Sequence, residues 1–294
     1  MGSRRSYGLI AAAAVLWGST GIAVSKSLSA GMSQLGMAAA MTAVGTAVLV
    51  AFAGAEGVRA LKPDLILYGI TALAAFRFLY VLSVQINGAG VTASLLYTAP
   101  LIVAAVSPLA IGEKPSAADV ALACAAVAGA YLASNPSLQV ATALGFLVGL
   151  ALACIYAATI VAVKYFYSKG YSWKEVMAQS TLAAAPTLAL LTAATRSAVV
   201  INLGTLPYIL WGGGVTIGLA TILYLEGLKG ARAVEASVIA TLEPVSALAL
   251  ASLILGEEYV PLQLVGIGMI LASATGIIYR SSRERKSEGE FPKL

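Results

Sequence analysis

Residues 233–257 read AVEASVIATLEPVSALALASLILGE, and residues 89–113 read AGVTASLLYTAPLIVAAVSPLAIGE. The two stretches lie 144 positions apart. On that offset Pro100 falls on Pro244, Gly112 on Gly256, Glu113 on Glu257 and, without a gap, Tyr80 on Tyr224. Each stretch is apolar over the roughly 20 residues that a helix needs to cross a bilayer. Each is interrupted near its middle by a proline. A broken apolar helix used once in each half of the chain points to a membrane protein built from internal repeats.

The rest of the sequence agrees. Of 294 residues, 60% are hydrophobic and 11% charged, against about 25% charged in a soluble domain. Ten apolar spans follow, at residues 7–28, 33–54, 64–86, 89–110, 117–134, 143–167, 173–194, 206–228, 233–255 and 260–280. Turn chemistry separates them, for example at Asn87-Gly88, Glu113-Lys114-Pro115 and Lys169-Gly170. The fold class expected is therefore all-α, an integral membrane protein with ten transmembrane helices. The start, Arg4-Arg5 and an apolar run, imitates a signal peptide. The run continues beyond a typical signal core, so an uncleaved first helix is expected.

Charge orients the spans. With ten of them, 15 of the 18 lysines and arginines fall on the side that holds both termini; Lys26 and Arg196 fall on the other, and Arg77 lies within a span. Positive residues mark the cytoplasmic face, so both termini are expected to be cytoplasmic. The basic tail fits that orientation better than lipid binding, because Glu284, Glu288 and Glu290 dilute it. The 144-residue offset covers five helices, an odd number, so the two similar stretches cross in opposite directions. That is an inverted repeat, with halves at 1–138 and 139–294 joined near residues 135–139.

Several residues stand out at depth. Pro100 and Pro244 deprive the carbonyls of Leu96 and Ala240 of their helical partners; the matched pair suggests hinges beside a pathway rather than two static kinks. Glu243 lies near mid-bilayer, where a charge costs roughly 2.5–3.5 kcal/mol on insertion scales. It reads either as a binding or coupling carboxylate or as a structural one. Arg77 pairs with Glu243 or Glu226, or meets a substrate carboxylate, and a structural ion pair with an acid such as Glu226 is the expectation. Lys26 and Glu226 lie near helix ends, within reach of the interface.

Aromatic residues sort by depth. Tyr7, Tyr68, Tyr165, Tyr167, Tyr171, Trp173, Tyr208, Tyr259 and Tyr279 fall near the interfaces and read as belt anchors. Trp17, Phe76, Tyr80, Tyr97 and Tyr156 lie deeper, where lipid cannot satisfy hydroxyl and indole groups. As a set they predict an aromatic-lined interior cavity for an apolar, aromatic or cationic solute, with Glu243 as its carboxylate.

Other classes are disfavoured. Histidine is absent, and no phosphate-binding loop, metal-ligand cluster or nucleophile–base pair stands out. These features argue against an enzyme, an ATP-driven pump and any resident cofactor or metal. The partners expected are a small-molecule substrate and the lipid bilayer, not nucleic acid, with the protein acting as a monomer. Cys124 and Cys154 sit singly in apolar runs and read as small buried hydrophobes. Gly145-xxx-Gly149 permits close helix approach but is generic.

The Glu243-Pro244-Val245 pattern with its run to Gly256-Glu257, its twin from Pro100 to Gly112-Glu113, and Trp17-Gly18 in the first helix resemble the paired EamA-type domains of the drug/metabolite transporter superfamily. The likeness spans residues 7–280 and is strongest to the bacterial aromatic-amino-acid exporters of that superfamily. It implies a ten-helix basket with a central cavity and an inner-membrane exporter of amino acids working by alternating access. Organic cations or other small metabolites are the alternative cargo. The first half departs from the acidic pattern, with Thr98-Ala99-Pro100 where the second has Leu242-Glu243-Pro244, so coupling through Glu243 is not duplicated.

The charge split generates a direct test. Of single cysteines placed at Ser172 and Gln139, an impermeant thiol reagent added to intact cells should label only the one at Gln139. Labelling of Ser172 alone would invert the topology.

Overall fold

In hydrocarbon every backbone polar group needs a partner, and a helix supplies those partners within one segment. The computed structural model, which describes residues 2–134, 142–255 and 259–287, contains helix and turn but no strand among those residues. The junction at residues 135–139, Gly256-Glu257, Glu288, Glu290 and Lys293 lie outside them. The spans are α1 (Arg4–Ser29), α2 (Gln34–Val58), α3 (Pro63–Gly88), α4 (Gly90–Ala110), α5 (Ala117–Ala133), α6 (Ala143–Ser168), α7 (Trp173–Ala194), α8 (Leu206–Leu228), α9 (Ala233–Leu250) and α10 (Pro261–Ser287). Apart from the shorter α5, each is long and apolar enough to cross a bilayer. Local chemistry sets the ends. Ser116 with Asp119 and Ser172 with Glu175 form capping boxes at the starts of α5 and α7. Gly88, at φ 72°, and Gly170, at φ 81°, adopt the left-handed backbone that turns the chain between helices.

Packing follows a twofold pattern. α2 packs on α7 and α5 on α10, each helix against its counterpart in the other half. α1 packs on α8 and α9, as α6 packs on α3 and α4. Exchanging the halves leaves this scheme unchanged.

Five spans carry a break or a π-helical stretch beside the bundle's centre, and α2 also has non-helical backbone at Gly54, four residues before its end. α1 breaks at Gly18-Ser19, between pieces Gly2–Trp17 and Thr20–Ser29. α4 breaks at Tyr97-Thr98 before the piece Ala99–Ala110, and α9 breaks at Thr241 between Ala233–Ala240 and Leu242–Leu255. α3 and α8 each contain a π-helical stretch, Gly69–Leu73 and Trp211–Leu219. The prolines therefore act differently from the kinks expected inside continuous helices. Pro100 and Pro244 sit in the first turn of a new helical piece, where a missing N–H removes no intrahelical bond. A carbonyl in the last turn before each break takes a hydroxyl donor in addition to its backbone one. Ser19, Thr98 and Thr241 hydroxyls donate to the carbonyls of Leu16, Leu95 and Val238 at 2.7, 2.7 and 2.6 Å.

Glycines let these interruptions pack. A Cβ on Gly69 would lie 2.2 Å from the Ser180 carbonyl oxygen of α7, and one on Gly213 would lie 2.5 Å from Val44 Cβ of α2. Gly145 and Gly149 of α6 receive Asn87 and Leu95 in the same way. The Asn87 side-chain amide also donates to the Gly145 carbonyl at 2.9 Å, so this glycine pair clamps the α3–α4 turn.

Every ion pair among the described residues lies at the end of the bundle that carries the termini. Lys62 meets Glu175, Lys164 meets Glu113 and Lys169 meets Asp64, at 2.9, 2.9 and 3.2 Å. A buried knot joins α1, α5, α9 and α10. Asp119 accepts from Arg232 at 3.1 Å and Arg280 at 3.0 Å, while Glu235 accepts from Arg232, Tyr7 and Ser281. Burial opposes the Arg232 charge, but its bond to Glu235 and the neighbouring Asp119 and Glu284 hold its pKa above the ordinary arginine value.

Two expectations are corrected here. Tyr7 is not a belt anchor but 1% exposed, its hydroxyl 3.0 Å from Glu235. Distance along a helix gives depth but not facing. Cys124 and Cys154 are exposed on the outer surfaces of α5 and α6, not buried, because a small apolar residue suits lipid as well as a core.

Gly18 tests the close approach of α1 to α9. A Cβ there would lie 2.7 Å from the Ala247 nitrogen and 2.9 Å from the Glu243 carbonyl oxygen, both backbone atoms. Gly18→Ala is expected to destabilise the protein by about 1–3 kcal/mol through overpacking. Gly8→Ala, with nothing within 4 Å, should be neutral or stabilising by up to about 1 kcal/mol. Thermal unfolding in detergent measures both.

Candidate functional site

The five interruptions leave a central cavity of about 130 Å³. Its wall comes from both halves: α1, α2, α3 and α4 on one side, α6, α8 and α9 on the other. Of the aromatic set singled out in the sequence, Trp17, Phe76, Tyr80 and Tyr156 line it, and so does Glu243. Phe76 stacks on Tyr156 with centroids 5.4 Å apart, and lies 6.4 Å from Tyr80. Trp17 faces Tyr224 at 5.0 Å.

The interruptions position these rings. Trp17 ends the first piece of α1, and its indole N–H donates to the Thr216 carbonyl at 2.9 Å. Thr216 lies in the π-helical stretch of α8, where the regular helical ladder is disturbed. Ser19, in the α1 break, accepts from the Trp211 indole at 2.8 Å on the same stretch. The break in α1 and the widened turn of α8 thus stabilise one another, and Trp17 is held where they meet. Phe76, Arg77 and Tyr80 follow the equivalent π-helical stretch of α3.

Tyr97 stands apart. It is 1% exposed and does not line the cavity, but lies behind the wall with its hydroxyl beside the Glu243 carboxylate. Two aromatic wall residues were missed. Tyr68, read as a belt anchor, lines the cavity from the first turns of α3 and packs edge-on against Phe166 at 5.4 Å. Tyr224 also lines it. The signal for Tyr224 was present, because it repeats Tyr80 across the 144-residue offset. Hydroxyl-bearing Thr20, Thr159, Thr216 and Thr221 add polar points to the wall; threonines are too common in helices to be singled out by type.

The ion pair expected between Arg77 and Glu226 does not form. Glu226 lies at the end of α8 and pairs with Lys229 at 2.6 Å. Arg77 faces the cavity, its guanidinium carbon 5.6 Å from the Phe76 centroid. Among the described residues it makes no ion pair or hydrogen bond, and its Nε is buried without a partner. The reason is rotational: α3 turns Arg77 towards the axis of the bundle, whereas Glu226 sits beside the basic α8–α9 turn.

The profile of the EamA-like transporter family matches residues 4–135 and 143–279. An uncharacterized transporter of Archaeoglobus fulgidus is 27% identical over 218 residues, 72% of this chain and 75% of its own length. A solved crystal structure superposes with a TM-score of 0.82 over 96% of this chain and all of its own, at 20% identity, and so shares the fold.

Two tyrosines separate a cavity hydroxyl from a structural one. The Tyr224 hydroxyl is buried without a partner, so Tyr224→Phe should leave stability unchanged or raise it by about 1 kcal/mol. Tyr7→Phe breaks a bond to buried Glu235 and should cost about 1.5–3 kcal/mol. Melting temperatures of the two variants that move together would overturn this division.

Proposed function

The chain belongs to the EamA-like transporter family, and from that premise we propose that it is a secondary-active exporter of amino acids, aromatic and other apolar ones, working by alternating access. One observation carries the reading: an aromatic cavity, walled by both inverted halves, where five interrupted helices meet. Aromatic and apolar walls match an apolar side chain, and a few convergent polar groups match its charged end.

Alternating access fits the same geometry. Inverted halves that surround one site at the repeat interface exchange roles when one rocks against the other. The interruptions before Pro100 and Pro244 lie beside the cavity in equivalent places, which suits them as hinges. Transport runs outward across a bacterial inner membrane in this reading, with both termini cytoplasmic. The support is the basic end of the bundle, which holds the termini and the ion pairs.

The second reading is export of organic cations. Glu243 in an aromatic chamber favours it, since rings and a carboxylate both attract a cation. Arg77 in the same wall opposes it.

Uptake of labelled amino acids into proteoliposomes, with and without a proton gradient, tests the proposal. Saturable uptake of phenylalanine or leucine, exceeding that of quaternary ammonium dyes, is the expected result. Glu243→Gln keeps the shape and removes the charge; it should slow transport about tenfold or more and flatten its pH dependence. A preference for the cations, with amino acids ignored, would assign the second reading instead.

A further inference from the structure

The cavity wall carries two charged side chains, Arg77 from the first half and Glu243 from the second. Neither forms an ion pair among the described residues, with each other or with a third group. The repeat makes the arrangement more pointed. On the 144-residue offset Arg77 corresponds to Thr221, which also lines the cavity, and Glu243 corresponds to Ala99. Each half thus replaces a neutral residue of its twin with one charge, and the two are of opposite sign.

A charge held at this depth is costly unless something compensates it. Protein-only compensation would bring Arg77 and Glu243 together, and the structure keeps them apart. Aromatic rings supply part of what the guanidinium lacks, through Phe76. They cannot accept the hydrogen bonds of its planar fork, whose natural partner is a carboxylate bound through two oxygens.

We infer that Arg77 is the anchor for a carboxylate group of the transported molecule, and that with Glu243 across the cavity the site selects zwitterions: α-amino acids with a free carboxylate and a free ammonium group. Phe76, Tyr80 and Tyr156 then receive the apolar side chain. This rests on the proposed function and deepens it, by naming the groups that the cavity reads. It also gives the physical ground for rejecting organic cations. Arg77 repels a cation that brings no carboxylate to satisfy it, however well its rings stack.

The test is equilibrium binding to purified protein in lipid nanodiscs, using L-phenylalanine, L-phenylalaninamide, phenethylamine and 3-phenylpropionate. Wild-type protein should bind phenylalanine about ten- to a hundredfold more tightly than the amide or the amine, the range expected for hydrogen bonds between charged groups. In Arg77→Gln that ratio should fall to near one, while Arg77→Lys, which keeps the charge but not the fork, should retain part of it. Glu243→Gln should instead erase the preference for phenylalanine over 3-phenylpropionate. A ratio unchanged in Arg77→Gln overturns the inference and leaves amino-acid export standing. Equal binding of phenylalanine and phenethylamine by wild-type protein overturns it as well. No binding of phenylalanine by wild-type protein overturns the inference and the proposed cargo together. If Arg77→Gln does not fold, the wild-type ligand ratios and Arg77→Lys decide the matter.

Discussion

A helix interrupted at mid-membrane exposes backbone groups that hydrocarbon cannot satisfy. Five of the ten spans carry a break or a π-helical stretch beside the cavity, and the architecture is a means of bringing those interruptions together, away from lipid. Hydroxyls of Ser19, Thr98 and Thr241 donate to carbonyls in the last turn before each break, within their own helices. Across helices, the Trp17 indole serves the π-helical stretch of α8, and the Trp211 indole reaches back to the break in α1. The irregular backbone is tolerated because protein surrounds it. The chamber it surrounds gives polar groups at that depth a place to face a solute.

Small residues make the arrangement sterically possible. Gly69 and Gly213, equivalent under the repeat, let the π-helical stretches of α3 and α8 lie against α7 and α2. Gly18 lets the α1 break touch the start of the second piece of α9. Packing of this kind is driven by close contact rather than by exclusion of water, because lipid is as apolar as the helices. The ion pairs contribute differently. Gathered at the end that holds the termini, they tie together turns from both halves, and the buried Asp119 and Glu235 fix α5, α9 and α10 to one another. Buried pairs of this sort add little net stability relative to apolar packing, but removing one partner is costly.

The repeat explains shape, and the departures from it explain chemistry. Symmetry supplies paired breaks, paired π-helical stretches and paired tyrosines, Tyr80 and Tyr224. It does not supply Arg77 or Glu243, whose counterparts are Thr221 and Ala99. A chamber that had to be equal from both sides would repeat its charges. In the proposed reading the bound molecule has a positive and a negative end, and the two charges differ accordingly.

Much of this is legible in residues alone. Span number and inverted symmetry follow from apolar length, because the bilayer sets it. Helix ends fell within a few residues of their expected positions wherever a turn or cap marked them, as at Lys169-Gly170 and Ser172. Deep aromatic residues were found because a hydroxyl or indole in lipid needs an interior partner. Only the tertiary structure settled which way a side chain faces: depth is one coordinate along a helix, and rotation about its axis is another that composition does not carry. Tyr7 and Tyr68, shallow in sequence, turn inward, and Cys124 and Cys154, apolar enough for a core, turn outward. Arg77 and Glu226 have compatible charges, yet the fold gives Glu226 to Lys229 and leaves Arg77 facing the cavity. The sequence by itself thus determined the order of the apolar helices, their repeat and the charges they carry. Which of those charges meet was decided by helix rotation and by π-helical stretches held in place through contacts made far away in the chain.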